Sequence, residues 1–132
     1  MDFFKTYFID ILRYKYADFD GRARRKEFWM FRLCYVLTLI TLGILMAILG
    51  SLSEIFFIIF GILFVILIIG LIIPEIAIAV RRLHDTDKSG WMYLISLIPF
   101  GGIILLIFFF TEGDRGPNQY GPDPKQMDGE YY

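Results

Sequence analysis

Cysteine is all but missing from this chain. Cys34 stands alone, so no disulfide can close within the chain, and its place inside an apolar run marks it as inert filler. Histidine is as scarce, with His84 the only one. One imidazole cannot build a metal site, which takes three or four ligands. No nucleophile stands at a recognisable spacing from His84 or Asp85 either. No metal or cofactor is expected, and an enzyme is the weakest of the functional readings. A basic excess is also lacking: 13 Lys and Arg against 14 Asp and Glu leave a formal net charge of -1. That balance argues against a nucleic-acid partner. A cleavable leader is not expected. No small-residue cleavage site follows the first apolar run, and Lys26-Glu27-Phe28 does not continue Arg24-Arg25 as a twin-arginine signal would.

What fills the chain instead is apolar. Hydrophobic residues make up 57% of it and Phe alone supplies 14, more than a soluble domain of this length could cover with its polar remainder. Three runs, 28–49, 55–80 and 91–110, approach or reach the roughly 20 residues that cross a bilayer. The expected fold is all-α: one membrane domain over 1–132, a helical bundle with three hydrophobic segments. Residues 1–27 form a cytoplasmic amphipathic helix and a basic connector, and 111–132 form a Gly/Pro-rich tail of turns whose end is expected to be mobile. Phe3, Phe4, Tyr7, Phe8, Ile11 and Leu12 recur at helical spacings, giving a helix that lies in the headgroup layer or packs on the bundle.

Within the first run, Gly43, Ala47 and Ser51 fall four apart and offer a face that another helix can approach closely. Pro74 is expected to kink the second. Pro99-Phe100-Gly101-Gly102 breaks the third into halves of about 12 Å, far short of a roughly 30 Å core. That third run is either one kinked crossing or a re-entrant hairpin, and the crossing is favoured. Lys and Arg concentrate before the first run and again at Arg81, Arg82 and Lys88, which places the N-terminus and that loop in the cytoplasm. With three crossings the tail would lie outside.

Two basic clusters converge on the cytoplasmic side, Arg22, Arg24, Arg25 and Lys26 with Arg81, Arg82 and Lys88. They suit contact with anionic headgroups, or a shaped anion pocket built from planar Arg forks. Arg32 and Glu75 lie at similar depth from that face, about 9 Å. They are expected to pair, unless Arg32 snorkels to the interface. Asp85 or Thr86 should end one helix, with Asp87 or Ser89 capping the next. Glu112, Asp114 and Asn118 fit no calcium loop and are read as turn formers.

Three ordered motifs carry a family likeness: Gly21-Arg22-Ala23-Arg24-Arg25-Lys26-Glu27-Phe28-Trp29, then Arg81-Arg82-Leu83-His84-Asp85 with Ser89-Gly90-Trp91, then Gly116 to Pro124 with Asn118 and Tyr120. Together they resemble the bacterial inner-membrane proteins grouped as domain of unknown function 805, over nearly the whole chain. The resemblance implies a multi-pass helical protein of the bacterial cytoplasmic membrane. It implies no catalytic residue, cofactor or substrate, and leaves His84, Asp85, Trp91, Asn118 and Tyr120 as motif residues without a role. The leading functional expectation is a small non-enzymatic membrane component acting through a homo-oligomer or a larger complex. The alternative is an oligomeric anion- or lipid-binding or transport-accessory component.

Overall fold

The structure, a computed structural model, describes residues 2–127. The expected mobility of the chain's end falls on 128–132, outside the described residues. The described residues are mainly helical, with no strand among them beyond one isolated bridge between Asn118 and Gly121. A π-helical stretch, Lys5–Ile9, runs into α1, Asp10–Tyr14. Then come α2, Arg25–Leu52, and α3, Glu54–Asp85. A 3-10 helix, Gly90–Leu97, is followed by α4, Gly101–Phe110, and a short α5, Pro124–Met127.

The α2–α3 hairpin is the frame. Extended Ser53 alone separates the two helices. Glu54 in the first turn of α3, and Arg82 and His84 in its last, sit where the helix dipole favours each sign of charge. Pro74 is buried inside α3, and the helix continues through it. Of the small residues on α2, Gly43 meets α3, whereas Ala47 and Ser51 are exposed, and Gly50 beside them makes the closest approach. Gly43 faces Phe64, and a Cβ at Gly50 would lie 2.8 Å from Phe57 Cδ2, so α3 is the helix that approaches. Both helices are long and apolar enough to cross a membrane.

Burial is confined to one end of that frame. Phe28, Phe31, Cys34, Leu71, Ile78, Ala79 and Leu83 form the core with Phe8 and Ile11 from the N-terminal segment and Leu105 and Phe109 from α4. Beyond it, Val36, Ile40, Ile44 and Ile48 on α2 and Ile58, Ile62, Ile66 and Ile69 on α3 are exposed. The N-terminal segment therefore packs one face on the bundle, with Phe8 5.4 Å from Phe31 ring to ring.

The third apolar run corrects the favoured single crossing. Both of its ends lie at the C-terminal end of α3. Gly90 sits so close to Val80 that a Cβ would come within 2.6 Å of its Cγ1. At the other end Arg82 donates to the Phe109 and Thr111 carbonyls, and Asp114 N donates to Asp85 O at 2.7 Å. The run is a hairpin that turns back at Ile98 to Phe100, where Phe100 adopts a left-handed conformation (φ 64°). Gly101 is required there because a Cβ would overlap the Ile95 carbonyl oxygen. Two halves too short to span fold back on each other, and the tail returns to the end from which the run left.

Candidate functional site

The return of the tail brings the three motifs together at the buried end of the frame. Gly21 to Phe28 supplies Arg22, the end of α3 supplies Arg82, His84 and Asp85, and the tail supplies carbonyls, Asn118 and Tyr120. Asp85 is the pivot. Arg22 Nε donates to Asp85 Oδ1 at 2.9 Å and Arg82 Nη1 to Oδ2 at 2.6 Å, with all three side chains buried. One carboxylate between two guanidiniums is the arrangement that lets such charges leave water.

The remaining guanidinium donors go to backbone. Arg22 Nη1 donates to Gly116 O at 2.7 Å, and Nη2 to Asp114 O at 2.5 Å. Arg82 Nε donates to Phe109 O at 3.2 Å, Nη1 also to Ala23 O at 3.2 Å, and Nη2 to Thr111 O. Every nitrogen of both forks therefore has an acceptor within this chain.

His84 is fixed on two sides. Its Nδ1 lies 2.9 Å from Gly21 O, which requires the proton on Nδ1, and its ring lies flat on Tyr120 with centroids 3.9 Å apart. Asn118 Nδ2 donates to His84 O at 2.9 Å, and Asn118 Oδ1 accepts from Tyr120 N, closing the tail turn over the histidine. The other sequence-predicted residues divide around this cluster. Arg81 is buried on the opposite side, where Nη1 donates to Glu27 Oε1 at 3.0 Å; Nε and Nη2 have no acceptor among the described residues. Arg25 Nη1 donates to Phe110 O. Lys26 lies over the Tyr7 ring and Lys88 over the Phe108 ring. Arg24 lines a cavity of about 260 Å³ beneath the N-terminal segment with Lys15, Lys26 and Glu27. Arg32 Nη2 pairs with Glu75 Oε1 between α2 and α3. Ser89 caps the 3-10 helix by accepting from Trp91 N. Lys125 donates to Glu112 Oε1 at 2.9 Å and holds that exposed carboxyl below the usual carboxylate range.

Trp91 belongs to a second feature, an apolar groove of about 570 Å³ between the 3-10 helix and α3. Its other lining residues, Phe19, Ile76, Val80, Tyr93, Leu94 and Leu97 among them, were not singled out by sequence reasoning. The three-residue spacing of Trp91, Leu94 and Leu97 was the available signal. The tail carbonyls were beyond reach, because backbone acceptors have no signature in sequence. Glu27 was legible within its motif but not as the partner of Arg81.

Comparison with known proteins agrees with the motifs. The family described as "Protein of unknown function (DUF805)" matches residues 16–122. The chain is similar to inner membrane protein YhaI of Escherichia coli (strain K12), with 40% identity over 90% of this chain and 95% of that protein. It is also similar to inner membrane protein YhaH of the same strain, with 41% identity over 90% of this chain and 96% of that protein. No solved structure matches. A match over most of the chain, with three motifs converging on one cluster, fixes the kinship: the chain belongs to the DUF805 family, whose function is unknown.

Proposed function

We propose that this chain is a non-enzymatic component of the bacterial inner membrane, crossing it twice and acting through association with a second copy or a larger complex. Its two E. coli relatives are named as inner membrane proteins. Measured from the Ser53 turn, residues 33–52 and 55–74 each span about 30 Å as helix, the thickness of a hydrocarbon core. On that frame Arg32 and Glu75 stand at the boundary of the core, and the packed end lies beyond it. Basic residues crowd this packed end, which makes it the cytoplasmic side and puts the N-terminus and the tail there together. The N-terminal helix and the hairpin tip then rest in the inner leaflet, against anionic headgroups and acyl chains.

The observation that carries the non-enzymatic reading is the saturation of the cluster. Every guanidinium nitrogen of Arg22 and Arg82 is taken by this chain's own acceptors, and His84 is clamped by Gly21 and Tyr120. Groups so engaged hold the tail to the bundle. They are not poised to bind an anion or move a proton. Crosslinking of the full chain within its membrane, followed by native mass spectrometry, tests the association. A homo-oligomer or a complex of fixed stoichiometry is the expected result, and a lone monomer overturns it.

A further inference from the structure

We infer that the groove between the 3-10 helix and α3 is a binding site for one bilayer phospholipid, its acyl chain along the groove and its head at the His84 end. This rests on the membrane placement proposed above. The floor of the groove is a single stripe of α3, Ile76, Val80 and His84, spaced four apart. The same stripe begins with exposed Ile72 on the face that meets lipid, so the bilayer-facing surface runs into the groove without a break.

The wall owes its shape to the 3-10 geometry. At three residues per turn, side chains three apart eclipse. Trp91, Leu94 and Leu97 therefore form one row, and Gly90, Tyr93 and Ser96 the next, and all six line the groove. An α-helix would fan these residues around its axis. The outer row is open, with Trp91 and Leu97 each 80% exposed. Gly90 lets the helix close on Val80 at the inner edge.

Polarity changes along the length. Leu94, Leu97, Ile76 and Phe19 are apolar, whereas His84 and Ser89 supply polar groups to the lining. With Nδ1 engaged by Gly21 O, Nε2 is the one polar atom His84 can offer, and it makes no hydrogen bond among the described residues. An apolar channel, continuous with the lipid-facing surface and ending at an imidazole nitrogen whose lone pair accepts, matches an amphiphile whose head carries N–H donors, the ammonium of a phosphatidylethanolamine. The groove is also within the range of about 300–1,000 Å³ that takes a small ligand.

The full chain is reconstituted in vesicles of equimolar phosphatidylethanolamine and phosphatidylglycerol, floated on a density gradient, then released into detergent for native mass spectrometry and thermal unfolding. The expected result is a single retained phospholipid and a Tm that rises when phospholipid is added back. Ser96→Trp, at an exposed position that fills the groove, loses both while keeping the lipid-free Tm. His84→Asn, whose amide can still donate to Gly21 O but places nothing at the Nε2 position, retains less. A chain that does not float overturns the membrane placement itself. Flotation with no retained lipid, equal retention by Ser96→Trp, or a two-chain mass in place of the lipid overturns the groove assignment alone.

Discussion

Arg22 and Arg82, 60 residues apart in the chain, grip opposite oxygens of the Asp85 carboxylate at 2.9 and 2.6 Å. Because both forks also hold tail carbonyls, that carboxylate sets the position of the connector, the end of α3 and the tail at once.

Asp85→Ala should therefore be severe. Removing one partner leaves two guanidiniums buried without their anion, which costs about 3–5 kcal/mol for a buried pair. Thermal unfolding in detergent should show a large drop in Tm for Asp85→Ala. The double variant Arg22→Met/Asp85→Leu should lose less than the two single variants together. Strict additivity would show that the pair is not coupled.

The His84–Tyr120 stack makes a finer prediction. Tyr120→Leu should lose about 0.5–1.5 kcal/mol beyond its lost buried area, the usual worth of an aromatic pair. Tyr120→Phe should be close to neutral, because the flat ring contact survives. Limited proteolysis after Gln119 reports the outcome directly, with faster cleavage in Tyr120→Leu alone.

Arg32 and Glu75 should behave as one unit. Arg32→Leu leaves Glu75 largely enclosed without its partner, and Glu75→Leu does the same to Arg32. In a double-mutant cycle the paired substitution should restore much of the stability that either single change removes. Additive losses would mean that the two side chains do not interact.

The returning hairpin predicts sidedness. With Cys34 replaced by Ala, cysteines placed at Ser89 and Gln119 should react with an impermeant thiol reagent from the same side of the membrane. A cysteine at Ser51 should react from the other. Labelling of Ser89 and Gln119 from opposite sides would restore a third crossing.

Much of this was written in the sequence. Two apolar runs separated by a few residues dictate a helical hairpin, since only helices close their backbone hydrogen bonds without water. The placing of Arg32 and Glu75 at equal depth follows from helical rise alone. The cap at Ser89, the end of α3 near Asp85 and the three motifs as units could be read the same way. The direction of the third run could not. Its composition suits a crossing and a hairpin equally, and what decides between them is whether the tail has somewhere to dock.

The docking place is built by tertiary structure. Arg22, Arg82 and Asp85 meet only once α2 and α3 pack, and their spare donors then capture carbonyls at Thr111, Asp114 and Gly116. Sequence by itself determined that this protein is helical, apolar and charged at one end, because hydropathy and charge are properties of side chains in order. Tertiary structure alone decided that the tail returns and that His84 lines an apolar groove. Backbone acceptors and cavities belong to the folded chain and to no residue singly.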